Sequence, residues 1–269
     1  MPMLKFTKMH GAGNDFIVIS ESSLRSSGIS LTKDNIEFLC NRQLGVGADG
    51  LIIIAYDFAL DFKMLYYNSD GNEAEMCGNG ARCAFAFANQ LGLVSDIGVF
   101  STGSGAVHGE LKSDTIKVSL PMTNPPQLDL QLSSSKTVHF ANTGVPHAVI
   151  ITESVSGLDV ENLGPEIRYD SHFAPNGVNV NWIEKQQENV YKIRTYERGV
   201  EAETLACGTG ASASALILFC LNLAISPVTL ITKGGDELIV DINQNDDKYE
   251  LHLTGPAKVA FNGEVELND

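Results

Sequence analysis

A chain of 269 residues is long enough for two compact domains, each with its own core. A formal net charge of −15 repels phosphate backbones and excludes nucleic acid as an expected partner, while 43% hydrophobic against 19% charged residues is the balance of a water-soluble globular protein. Five cysteines, an odd number, and no basic-then-apolar leader at the start predict a reducing cytoplasm rather than a disulfide framework.

In chain order, strands are predicted at Phe16–Ile19, Leu51–Ala55, Lys63–Tyr67, Ile116–Leu120, Ala148–Thr152, Val178–Ile183, Tyr191–Thr195, Thr229–Ile231, Leu238–Ile242 and Tyr249–Leu253. Helices are fewer. Thr32 is read as the N-cap of a helix running to Cys40. Two more helices follow Cys77 and Cys207, the first stopped by Gly92 and the second followed by Pro227. Pro121–Lys136, with three prolines and a serine cluster, reads as a linker. The tail beyond Pro256 is expected to return to the first domain as a strand. The apolar run Ala211–Ile225 is too short to span a bilayer and contains Ser212, Ser214 and Asn222, so no membrane partner is expected.

The chain repeats itself. CGNGARCAFAFANQLGL begins at Cys77 and CGTGASASALILFCLNL at Cys207, 130 residues later. Thr102 and Thr232, and Gly47 and Gly177, keep the same offset, and HGAGNDFIVI from His10 resembles NTGVPHAVII from Asn142. A repeat of domain size indicates a duplication. The expected domains are 1–122 carrying Cys77, 137–256 carrying Cys207, and a tail at 257–269. The helices after the cysteines are small or apolar on nearly every face and must be enclosed. The fold class is therefore α+β: two pseudo-symmetric domains, each a curved, mainly antiparallel sheet wrapped around a central helix.

Two matched thiols suit chemistry that removes a proton from one face of a carbon and delivers one to the other. A thiolate at a helix start gains from the free N–H groups and the dipole, at most about 2 kcal/mol or ~1.5 pKa units. From a free value near ~8.5 this is a partial solution, so a nearby base is expected. His147 in GVPH and Glu197 in YERG are the candidates. Glycines after each cysteine let backbone N–H groups approach a carboxylate and its enolate-like form. Cys40, Cys83 and Cys220 read as core residues, His10 as structural, and Asp49 and Asp70 as turn formers, while His108, His139, His172 and His252 lack informative context. Cys77 and Cys83 are six apart with no CxxC or HxxxH nearby, so no metal is expected. The Gly-x-Gly turns lack the βαβ context and third glycine of a dinucleotide site.

KMHGAGNDF (Lys8–Phe16), NSDGNEAEMCGNGARC (Asn68–Cys83), GVPH (Gly144–His147), GVNV (Gly177–Val180) and YERGVEAETLACGTG (Tyr196–Gly210) together resemble the diaminopimelate epimerase family nearly end to end. The resemblance implies interconversion of LL- and meso-diaminopimelate in lysine and peptidoglycan precursor biosynthesis, without pyridoxal phosphate, metal or other cofactor, and often as a homodimer. It implies Cys77 and Cys207 as the acid–base pair, with His147 and Glu197 assisting. Backbone N–H groups of Gly78, Asn79, Gly208 and Thr209 would hold the reacting carboxylate, and Asn14 the α-amino end. Asn68, Asn179 and Arg198 would grip the distal end, with Arg198 on its carboxylate. Family members can carry Asn where this chain has Val145, and Gln where it has Gly50; each change removes a possible polar contact. The glutamate loop is one residue longer than in some relatives.

The competing enzymatic reading is a cofactor-independent racemase of another amino acid, such as glutamate or a proline derivative, needing fewer distal contacts. A non-catalytic amino-acid-binding protein is the other class, but binding a zwitterion does not require two helix-capping thiols.

Overall fold

A computed structural model describes residues 3–74 and 76–267 of the chain. They divide into two compact units, one within residues 3–118 together with 255–267, the other residues 119–254.

In the first unit, β1 (Met3–Gly11) and β2 (Asn14–Ser20) form a tight hairpin with Gly11 opposite Asn14. The turn needs left-handed backbone, and Ala12 and Gly13 supply it with φ of 55° and 91°. Helices α1 (Glu21–Ser27) and α2 (Lys33–Cys40) follow, the second opened by the Thr32 capping box. Then come β3 (Gly50–Ala55), β4 (Phe62–Asn68), the short β5 (Glu73–Ala74), α3 (Gly78–Gln90), β6 (Ile97–Thr102), β7 (Gly105–Lys112) and β8 (Thr115–Ser119). The strands join as β1-β2-β3-β4-β6-β7-β8, with β5 beside the far end of β4. The β2–β3 and β4–β6 pairs are parallel and the rest antiparallel.

α3 packs against β1, β2, β3, β4 and β7. Laid flat, β1 and β7 would lie about 24 Å apart, five strand spacings of ~4.8 Å, while a helix is only ~10 Å across. One helix touches both strands because the sheet curls around it. The sequence of α3 permits this: Ala81, Cys83, Ala84, Phe85 and Ala88 are all buried. The fully buried Arg82 gives its charged head to the Pro256 carbonyl, the Gly78 carbonyl and Asn79 Oδ1.

The second unit repeats this plan strand for strand. β9 (Gln127–Gln131), β10 (Thr137–Asn142), β11 (Pro146–Ile151), α4 (Val160–Arg168), β12 (Asn179–Gln187), β13 (Val190–Glu197), β14 (Ala202–Thr204), α5 (Gly208–Cys220), β15 (Val228–Ile231), β16 (Glu237–Asn245) and β17 (Lys248–Pro256) follow in order. β11–β12 and β13–β15 are its parallel pairs, and β14 flanks β13 as β5 flanks β4. α5 is buried from Gly210 to Leu218 and packs on β10, β11, β12, β15 and β16. Its buried Ser212 and Ser214 satisfy their hydroxyls on the carbonyls of Gly208 and Gly210. The last strand, β18 (Lys258–Glu266), lies antiparallel on β1, where β9 lies on β10 in the second unit.

The ten expected strands are present. Besides β1, β5, β6, β7, β10 and β14, strands that the sequence reading does not name, three features differ from it. Pro121–Lys136 carries β9, because its Gln127–Gln131 stretch alternates outside the prolines and pairs with β10. α1 and α4 are helices that the serine-rich ESSLRSS and the internal Pro165 concealed. No helix among the described residues is long and apolar enough to cross a membrane.

Candidate active site

Cys77 and Cys207 are the N-cap residues of α3 and α5, in matching extended conformations with φ of −135° and −127°. Neither thiol closes its own helix with a side-chain cap bond. The leading N–H groups of both helices therefore have no capping side chain of their own and can serve an anion.

Around Cys77 the neighbours come from β1, β2 and the start of β3. Cys77 Sγ lies 3.5 Å from Asn14 Oδ1, which also accepts from Asn79 Nδ2 at 3.2 Å. The other end of the Asn14 amide donates to Asp49 Oδ2 at 2.6 Å. Arg42 bridges Asp49 (2.7 Å) and Asp15 (2.8 Å). Lys8 pairs with Asp15 at 2.7 Å and donates to the Gly47 carbonyl. Burial raises the Asp15 carboxyl, but hydrogen bonds from Arg42 and Lys8 outweigh it and hold it well below the usual carboxylate range. Asp49 is thus more than the turn former expected. It orients Asn14 through contacts 35 residues apart in sequence, which no local pattern displays. Asp70 does form its turn, accepting from the Asn72 amide at 3.0 Å. Asn68 stands exposed at the end of β4, opposite Gly50.

Around Cys207 the neighbours come from β11, β12 and β13. Parallel pairing sets His147 beside Asn179, and antiparallel pairing sets Asn181 beside Thr195. His147 is fully buried, with Nε2 3.0 Å from Thr209 Oγ1 and Nδ1 3.0 Å from Asn181 Nδ2. Thr209 Oγ1 is in turn 3.4 Å from Cys207 Sγ. Burial, helped by the charge of Arg198, pushes the His147 pKa down to about 3. Asn179 donates to the Pro146 carbonyl (3.0 Å) and accepts from the Arg198 amide (2.8 Å), so it fixes the turn that presents Arg198. Glu197 ends β13, half-buried, opposite Ala202. Two other acids of its loop are structural. Glu201 pairs with Arg168 at 3.0 Å, and Glu203 is clamped by Arg194 (2.6 Å) and Lys233 (2.5 Å).

The structure thus brings Asn14, Cys77 and Asn79 together in one unit, and His147, Thr209 and Cys207 in the other. Asn181 and Thr195, read only as members of strands, are the buried partners behind His147. Their signal in the sequence, polar residues within otherwise apolar runs, is faint. Gly210 makes room for them: a Cβ there would come within 2.4 Å of Asn181 Oδ1. Gly50 is equally constrained, since a Cβ would meet the Tyr67 carbonyl at 2.6 Å and the Tyr66 ring at 2.7 Å. Burial pushes the Cys40 and Cys83 thiols up to about 12, and raises Cys220 as well, as suits core cysteines. His10 accepts from the Gly13 amide at 3.3 Å and shapes its turn. Among the described residues no group of three or more His, Cys, Asp or Glu side chains is placed to hold a metal ion.

The profile of the diaminopimelate epimerase family matches residues 6–128 and 139–260, both halves of the duplication. The chain belongs to the diaminopimelate epimerase family. It is 40% identical to the diaminopimelate epimerase of Aquifex aeolicus, over 97% of this chain and 98% of that one. It is 39% identical to that of Flavobacterium psychrophilum, over 96% and 98%. Among solved structures, the fold is shared with a probable proline racemase from Agrobacterium radiobacter (TM-score 0.74, 14% identity, 98% and 93% covered). It is shared as well with a hydroxyproline epimerase from Agrobacterium vitis (TM-score 0.71, 16% identity, 100% and 95% covered). At those identities the likeness is one of fold. The chain is an isomerase of the amino-acid epimerase type.

Proposed function

We propose that this chain interconverts LL- and meso-2,6-diaminopimelate by a two-base proton transfer between Cys77 and Cys207, serving lysine and peptidoglycan precursor synthesis. The observation that carries the mechanism is the equivalence of the two cysteines, each the N-cap of the enclosed helix of its own unit. One thiol, as thiolate, takes the α-proton. Negative charge passes into the substrate carboxylate, and the N–H groups of Gly78, Asn79, Gly208 and Thr209 stabilise it there. The other thiol returns a proton to the opposite face. No cofactor takes part in this scheme, since the carboxylate is the electron sink.

Asn14 would receive the reacting α-amino end. Asn68, Asn179 and Arg198 would serve the distal end, Arg198 by pairing with its carboxylate. For Asn179 the support is its hold on the Arg198 amide. His147 would act on Cys207 through the Thr209 hydroxyl, and Glu197 would assist as a carboxylate close to the turn. We further propose a homodimer working in the cytoplasm, testable by sedimentation of the purified chain.

The experiment is incubation with LL-diaminopimelate, L-glutamate, L-proline and trans-4-hydroxy-L-proline, followed by chiral chromatography. Conversion of LL-diaminopimelate alone is expected. Inversion of one of the other amino acids without it would establish the competing racemase reading.

A further inference from the structure

The side-chain amide of Asn181 sits at the blind end of a buried chain of hydrogen bonds that finishes at Cys207. Its orientation is fixed from behind. Nδ2 donates to the Ala148 carbonyl at 3.2 Å, and Oδ1 accepts from Thr195 Oγ1 at 2.9 Å. Turning the amide over would set its oxygen against a carbonyl oxygen. Nδ2 is therefore the atom presented to His147 Nδ1, 3.0 Å away, and Nδ1 must accept and carry no proton. His147 stays neutral because burial and Arg198 oppose its protonation. Its one proton then resides on Nε2 and is donated to Thr209 Oγ1 at 3.0 Å. Thr209 accepts from the imidazole, and its own hydrogen is left for Cys207 Sγ at 3.4 Å.

The equivalent position in the first unit has the opposite sense. Asn79 stands where Thr209 stands, and the atom facing Cys77 is Asn14 Oδ1, a carbonyl oxygen because its partner nitrogen is spent on Asp49. An oxygen with no hydrogen favours a thiol, while a hydroxyl that donates favours a thiolate.

We propose that Asn181 is a positioning residue which, by fixing the His147 tautomer, makes the Thr209 hydroxyl a donor to Cys207 and holds that sulfur ready as the thiolate, while Cys77 rests as the thiol. This deepens the proposed function, for it assigns the resting roles of the acid–base pair. The titratable groups on strands packed against α5 are His139 on β10, His147 on β11, Glu184 and Lys185 on β12, and Glu237 and Asp241 on β16. His147 is the one that meets Thr209. Glu197 and Arg198, of opposite charge, lie at the end of β13 and the turn after it.

The test is the pH dependence of iodoacetamide alkylation, resolved cysteine by cysteine by peptide mass spectrometry. In the wild type the midpoint of Cys207 is expected below that of Cys77. Thr209→Val, which keeps the shape and removes the hydroxyl, should raise the Cys207 midpoint by about one pH unit, roughly tenfold less thiolate near neutrality. Asn181→Leu should raise it likewise, and Thr209→Ser should leave it low. Cys77, unmoved in all three, serves as the internal reference for intact folding. A Cys207 midpoint that is the same in Thr209→Val as in Thr209→Ser would overturn the proposal, and so would a wild-type midpoint above that of Cys77. Alkylation needs no substrate, so failure to epimerise diaminopimelate would count against the proposed function without touching this result.

Discussion

Acidification between pH 7.5 and 5 should loosen the second unit through one residue, His147. In the folded chain its pKa is pushed down to about 3, against an ordinary value near ~6.5 once unfolded. Between those values the unfolded chain binds a proton that the folded chain refuses. Stability therefore rises with pH across this window and is lost as pH falls below ~6.5. At pH 5 the loss is about 2 kcal/mol, 1.36 kcal/mol per unit over ~1.5 units. Carboxylates held low in the fold, such as Asp15, also lose stability in acid, but only near and below their unfolded values of about 4. His139 is lowered by burial and contributes in the same direction, though it is less enclosed. Trp182, the single tryptophan, is buried on β12 of the second unit, so its fluorescence follows this unit. Urea midpoints read at Trp182 should fall from pH 7.5 to pH 5 in the wild type. In His147→Gln, whose amide can both donate to Thr209 and accept from Asn181, most of that fall should vanish. An equal fall in both proteins would refute the assignment.

Cys77→Ala and Cys207→Ala should each abolish conversion of LL- to meso-diaminopimelate while leaving the fold intact, as read by chiral chromatography and circular dichroism; near wild-type turnover in either would remove that cysteine from the mechanism. Gly50→Gln should destabilise by about 1–3 kcal/mol because the Tyr67 carbonyl and Tyr66 ring occupy the space, and denaturant titration will show whether it does. Asp15→Asn should cost about 2 kcal/mol, since it strands the buried Lys8, though the 19% exposure of Asp15 softens the loss; an unchanged urea midpoint would argue against a structural ion pair.

The duplication made the architecture readable. Cys77 and Cys207, 130 residues apart and each followed by a small, apolar helix, required two enclosing sheets, and the strand runs needed to build them were visible. The missing elements were those with mixed signals. Lys8 interrupts the alternation of β1, yet it is buried against Asp15. Serines hide α1, Pro165 hides α4, and the prolines before β9 with the serines after it disguise a paired strand as a linker. At the site, the motifs name Asn14, Cys77 and Asn79, which the structure gathers in one unit, and His147, Thr209 and Cys207, which it gathers in the other. The residues that orient them are not named there. Asn181 lies in a run that reads as an ordinary strand, and its partners are 14 and 33–34 residues away. Asp49 reads as a turn former, because the sequence does not show that its loop and the start of β3 lie beside the β1–β2 hairpin. His147 was chosen as a base for its type and motif. Its full burial, which pushes its pKa down to about 3, is not visible in that motif.

Inversion of one α-carbon by two thiols of this chain is read most directly by proton NMR of LL-diaminopimelate incubated with the purified chain in heavy water. Meso product is expected to carry deuterium at the inverted α-carbon, while substrate recovered at early times keeps its α-proton, because the acid and the base are different groups. Early exchange into recovered substrate at a rate equal to product formation, or turnover that persists in the Cys77→Ala, Cys207→Ala double variant, would contradict it.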